Sequence, residues 1–137
     1  MRIMALDVGS KTIGVAVSDE LLMTAQGKSV IQRKSIEQDI QELTLFIQEY
    51  QVSKLIVGFP KNMDGSMGEM SEQIIEFVDE LQNRIDIQVE LVDERLTTKL
   101  AERTLLEADL SRKKRKQVID KLAAVHILQT YLDRRLS

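Results

Sequence analysis

Hydrophobic and polar positions along the chain fall into blocks of different period. "IMALDVG" and "TIGVAVSD" are β-type apolar runs joined by the short link "GSK", which predicts a hairpin. "KSVIQR" reads as a third strand after a turn near Gly27. Apolar residues then recur at 36, 40, 43, 47 and 50, the spacing of one helix face, with Ser35 and Gln38 as a capping box at its start. "KLIVGF" is a short apolar run suited to a buried parallel strand. It leads into "GFPKNMDGSMG", which holds the only proline and three of the six glycines. Ser66 and Glu69 form a second capping box before the helical stretch "EMSEQIIEFVDELQNR". "IQVELVDE" reads as a fifth strand, Thr97 or Thr98 can cap "TKLAERTLLEAD", and "RKKRKQVIDKLAAVHILQTYLDRR" forms a long last helix.

The order β-β-β-α-β-α-β-α-α, without internal repeat or linker, reads as one domain over residues 1–137. An antiparallel opening followed by βαβ units predicts an α/β fold with a mixed sheet covered by helices. The first, fourth and fifth strands would be parallel, and their carboxyl ends would share one edge. That edge is where α/β sheets place their sites.

Composition narrows the chemistry. Cysteine is absent, which removes disulfides and thiolate metal sites and fits a cytoplasmic protein. No apolar run is long enough to span a membrane and no leader pattern is visible, so no membrane partner is expected. The net charge of −3 hides an asymmetry. Residues 64–94 carry ten acidic groups against Arg84 alone, and then "RKKRK" (Arg112, Lys113, Lys114, Arg115, Lys116) places five cations in a row. Such a run is either a solvated helix start or a phosphate-contacting patch.

The acids carry the most specific signal. Asp7 lies near the carboxyl end of the first strand, and Asp93 and Glu94 at the carboxyl end of the fifth. Asp120 falls inside the apolar arc of the last helix, beside Ala123 and Ala124, small residues that let a helix approach a sheet closely. Carboxylates meeting at one edge need a cation or a shared proton. Oxygen donors without His or Cys favour Mg²⁺ or Mn²⁺ over zinc. Each acid also has an ordinary partner in reach: turn N–H groups for Asp7, Arg95 for Asp93 and Glu94, Lys116 or Lys121 for Asp120. His126, the only histidine, lies on the apolar arc and reads as partly buried rather than as a base.

"LDVGSKTIGVAVSDE", "LIVGFPKNMDGSMG", "VDERLTT" and "IDKLAAVHILQTYL" resemble, in order, the motifs of a bacterial family of Holliday-junction resolvases and pre-16S rRNA nucleases with the RNase H-like fold. The resemblance covers nearly the whole chain. It implies a five-stranded sheet of order 3-2-1-4-5 and a catalytic, metal-binding carboxylate set of Asp7, Glu94 and Asp120, with Asp93 as a secondary ligand. Where the family often has Arg before "IG", this chain has Thr12 preceded by Lys11, which is the candidate substitute. The implied reaction is phosphodiester hydrolysis with two Mg²⁺ (or Mn²⁺) ions roughly 3.5–4 Å apart. The substrate that the resemblance implies is structured RNA, most readily the 5′ end of pre-16S rRNA in ribosome biogenesis, or branched DNA such as a Holliday junction. Lys11, Lys61, Arg95 and the Arg112–Lys116 run are the candidate phosphate contacts. Two further readings stay open. "DVGSKTIGVAV" also looks like the phosphate hairpin of sugar kinases and actin-like ATPases, and the chain could be a non-catalytic RNA- or protein-binding module.

Overall fold

The computed structural model describes residues 1–59, 69–93 and 112–136, with side chains for 1–59, 70–93 and 121–135. Five strands, β1 (Arg2–Val8), β2 (Thr12–Ser18), β3 (Ala25–Gln32), β4 (Val52–Phe59) and β5 (Gln88–Asp93), form one sheet of order β3-β2-β1-β4-β5. Strands β1, β2 and β3 pair antiparallel, whereas β4 pairs parallel with β1 and with β5. Helices α1 (Ile36–Glu49), α2 (Glu69–Arg84) and α3 (Arg112–Leu136) complete the described elements. This is the mixed sheet and strand order expected. Ser66, Thr97, Thr98 and the "TKLAERTLLEAD" helix lie outside the described residues.

Period-two alternation sorts the sheet into two faces. Met4, Leu6 and Val8 of β1 join Val15, Leu55 and Val57 in a core with Leu43 of α1 and Phe77 of α2. Ile3 and Ala5 point the other way and pack with Ala16, Ile56 and Val92 against Ala124, Ile127 and Leu128 of α3. From Ile3 to Leu6 the central strand is therefore apolar on both faces because both are covered. Ala5, Ala16, Ala123 and Ala124 are fully buried where α3 meets the sheet, so small side chains set that close approach.

Helix α1 begins as its capping residue dictates. The Ser35 hydroxyl accepts the Gln38 N–H at 3.2 Å, which satisfies one of the free donors of the first turn. The helix ends at Tyr50, followed by Gln51 in the left-handed region at φ 53°. Tyr50 N–H donates to Phe46 O and Gln51 N–H to Gln48 O, closing the last turn.

The third strand differs from its expected bounds. Gly27 lies inside β3, opposite Ala16, and the turn falls earlier, between β2 and β3. There the Asp19 carboxylate accepts the Met23 and Thr24 N–H groups at 2.7 and 3.0 Å. The bonds from Thr24 and Met23 hold its pKa below the usual value. Gly27 serves the packing of α3 instead: a Cβ there would stand 2.6 Å from Lys121 Cγ and 3.3 Å from Val125 Cγ2.

Two outcomes follow for stability. Left-handed backbone costs a non-glycine residue about 1–2 kcal/mol, which glycine's greater unfolded-state freedom partly offsets. Gln51→Gly is expected to raise urea-unfolding stability by about 0.5–1 kcal/mol. Gly27→Val must displace both Lys121 and Val125, and is expected to lower stability by about 1–3 kcal/mol in the same assay.

Candidate nucleic-acid cleavage site

Asp7 is the next-to-last residue of the central strand and is half-buried. It pairs with Gly14 across the hairpin. Alternation places it on the side of Ile3 and Ala5, the α3 side. Leu6 pairs with Val57 and Gly58 with Val92, so the register puts Asp7 level with Gly58 and Val92 near the carboxyl ends of the parallel strands. The tight three-residue link that follows is closed by Gly9 N–H donating to Thr12 O at 2.8 Å. A Cβ on Gly9 would stand 3.1 Å from that same oxygen, which suits glycine there. Lys11, in the link, is exposed, as a phosphate contact requires.

Helix α3 crosses the sheet diagonally. Its later part meets the amino-end edge: the Gln129 side chain accepts the Ala25 N–H at 3.0 Å, and the Tyr131 hydroxyl oxygen accepts from Lys54 Nζ at 2.6 Å. Its earlier part therefore leads toward the edge where Asp7 lies. The backbone of Asp120 is in this helix, one turn before the fully buried Ala124. The Asp120 side chain lies outside the described set, as do those of the Arg112–Lys116 run, whose backbone forms the first turns of α3. Glu94, Lys61 and Arg95 lie wholly outside the described residues.

Asp93 takes a different position from Asp7. It pairs with Phe59, a residue of the α1/α2 core, so the register gives it the opposite face. It lines a depression of about 340 Å³ with Glu90, Tyr131, Arg134 and Arg135 along the β5 edge. Nearby, Lys54 is held above the usual lysine pKa, first by the Tyr131 hydroxyl bond and also by Glu90 at 3.7 Å. This polar group sits at the amino ends of β4 and β5, away from Asp7. His126 corrects an expectation: it is exposed, not partly buried. At about 100° per residue it falls roughly 60° past Ala123, outside the arc of Ala123, Ala124, Ile127 and Leu128 that the sheet covers.

The sequence reading missed Arg33 and Asp39. The Asp39 side chain, 2 % exposed, lies in the first turn of α1 and accepts from Arg33 Nε at 3.2 Å and from Lys34 N–H at 3.1 Å. Arg33 also donates to Gly9 O at 2.8 Å. An acid in a helix's first turn is ordinary for reasons of the helix dipole, so nothing in "KSIEQDI" marks Asp39 as buried.

A carboxylate such as Asp7 supplies the hard oxygen donors that Mg²⁺ or Mn²⁺ takes, and no cysteine exists to compete with them. The depth and edge position of Asp7 thus fit a divalent-ion ligand, and exposed Lys11 beside it fits an anionic substrate.

Comparisons with known proteins agree with this architecture. A protein from Natranaerobius thermophilus named "Putative pre-16S rRNA nuclease" is 66% identical over 137 residues, covering 100% of this chain and 97% of its own. Relatives of the same name from Syntrophomonas wolfei and Desulforamulus reducens are 55% and 53% identical, each over 97% of this chain and over 94% and 97% of their own. Among solved structures, the fowlpox virus resolvase in complex with Holliday junction DNA superposes with a TM-score of 0.63 at 13% identity, over 100% of both chains. RuvC from T. thermophilus with a Holliday junction substrate gives 0.60 at 14% identity, over 99% of this chain and 96% of that one. At that identity the likeness establishes the fold, RNase H-like. The family model described as "RuvX: Holliday junction resolvase" matches residues 1–134, and this chain belongs to that family.

Proposed function

We propose that this protein is a divalent-metal-dependent nuclease that hydrolyses phosphodiester bonds in structured nucleic acid, and that its substrate is the 5′ end of pre-16S rRNA. The observation that carries the reading is Asp7, a half-buried carboxylate near the carboxyl end of a strand whose residues Ile3–Leu6 are apolar on both faces. The close relatives named as pre-16S rRNA nucleases favour the RNA substrate. The description of the family model favours a second reading, resolution of branched DNA.

In this reading Asp7, Glu94 and Asp120 hold the metal, with Asp93 assigned a secondary part. The register sets Asp93 on the other face from Asp7, which weighs against a direct shared bond. The bound cation supplies a water of lowered pKa and a counter-charge for the departing oxygen. The chain's own residues bind and orient. Lys11 engages a phosphate next to the scissile one, while Lys61, Arg95 and the Arg112–Lys116 run grip the backbone farther along. Water attacks phosphorus, the bond to the leaving oxygen breaks, and that oxygen takes up a proton. No Ser, Cys or His nucleophile is required. Low aromatic content, 4%, points to recognition by backbone charge and shape. Action on rRNA precursors would place the protein in the cytoplasm, a location that the cysteine-free sequence fits.

Cleavage of a pre-16S rRNA fragment and of a four-way DNA junction, side by side with Mg²⁺ or Mn²⁺, tests the proposal. RNA is expected to be cut faster. Loss of supporting groups around a metal site costs roughly 10–100-fold. Removing a ligand outright exceeds that, so Asp7→Asn is expected to cut at least about 100-fold more slowly while its circular dichroism and RNA affinity stay close to the parent's. A variant as fast as the parent would refute the role of Asp7.

The basic run is tested by changing Arg112–Lys116 to Gln. Affinity for RNA is expected to fall, and the slope of log K against log salt to flatten by about one for each phosphate no longer engaged. An unchanged slope assigns the run to solvation.

A further inference from the structure

Among the described residues, Arg33 holds the β1–β2 link from outside the hairpin. Arg33 grips it twice: its backbone N–H donates to Lys11 O at 2.9 Å and its guanidinium donates to Gly9 O at 2.8 Å. The guanidinium is itself held. Asp39 Oδ2 accepts from its Nε at 3.2 Å, and its Cζ lies 5.4 Å from the centre of the buried Phe77 ring of α2. Asp39 is fixed in turn by Lys34 N–H. Arg33 therefore joins the start of α1, the middle of α2 and the link that immediately follows Asp7.

We infer that Arg33, locked by Asp39, is a positioning residue that fixes the Gly9–Lys11 link, and so sets where Asp7 and Lys11 meet metal and phosphate. The inference rests on the nuclease reading. Two features separate this arrangement from a general stabilising pair. Its directional bonds end on two carbonyls of the link, and the link carries no apolar side chain to anchor it otherwise. The bonds also leave along two edges that only a guanidinium offers: Nε faces Asp39 while a terminal nitrogen faces Gly9. A lysine reaches one acceptor or the other, not both.

The test uses the double variant Arg33→Gln/Asp39→Asn. It removes both charges together, so no buried acid is left unpaired, and the introduced asparagine keeps an oxygen for Lys34 N–H. Misplacing a reacting group by about 1 Å costs up to about 100-fold in rate. The double variant is expected to melt within a few degrees of the parent, to lose about 10- to 100-fold in kcat with KM for the RNA within about threefold, and to bind Mn²⁺ more weakly by electron paramagnetic resonance titration. Hydrogen exchange at the Gly9 and residue-33 amides, which donate to Thr12 O and Lys11 O, is expected to speed up at least about tenfold. Arg33→Lys is expected to keep most of the stability and to share the kcat loss. A parent that cuts, beside a double variant with the same kcat and the same exchange rates, overturns the inference alone. A parent that binds no Mn²⁺ and cuts neither RNA nor junction removes the nuclease reading and the inference with it.

Discussion

Coverage of both faces of β1 is the constraint from which the rest follows. Once α1 and α2 close one face and α3 the other, every side chain from Ile3 to Leu6 must be apolar and must match its neighbours in volume. On the α3 side this is met with Ala5 and Ala16 against Ala124, which brings the helix backbone close to the sheet. Polar chemistry is then confined to the strand's end, where the covering layers stop. Asp7 stands at that limit, deep enough to be held rigid by the strand and shallow enough to avoid the full desolvation cost of a buried charge.

A rigid strand does not by itself fix the link that leaves it. The hairpin link is short and polar, with exposed Ser10 and Lys11, and it contributes nothing to either core. Its position is set by hydrogen bonds to groups brought in from other elements. Among the described residues the Arg33 side chain is one of them, and its buried partner Asp39 limits its freedom. Burying such a pair brings little net stability, because desolvation consumes most of the attraction. Its value lies in direction, since the guanidinium donates to Asp39 from Nε and to Gly9 O from a terminal nitrogen.

The two acids at the carboxyl ends of β1 and β5 illustrate how register divides residues of like chemistry. Asp7 and Asp93 both occupy parallel strands near the same edge. Asp93 is level with Phe59 and Asp7 with Gly58, and that single-residue offset sends them to opposite faces. Lys54 shows the same logic at the other end of the sheet. Tyr131 of α3 comes to it only because the helix crosses diagonally, which leaves a polar cluster remote from Asp7.

Legible in the chain alone were the order of the described elements, the strand order through its family resemblance, the Ser35 cap, the apolar face of α1 and the place of Asp7 in β1. These are local or periodic properties, and each is written in residues adjacent along the chain or along one face. The turn before β3 was placed near Gly27, whereas the Asp19 side chain makes it earlier in the chain. His126 was misjudged too, because helical period gives an arc but not how much of that arc a partner covers. The burial of Asp39, the reach of Arg33 to Gly9 and the face of Asp93 emerged solely from the folded arrangement. Those depend on contacts between elements distant in sequence and on a one-residue choice of register, and no local pattern encodes either.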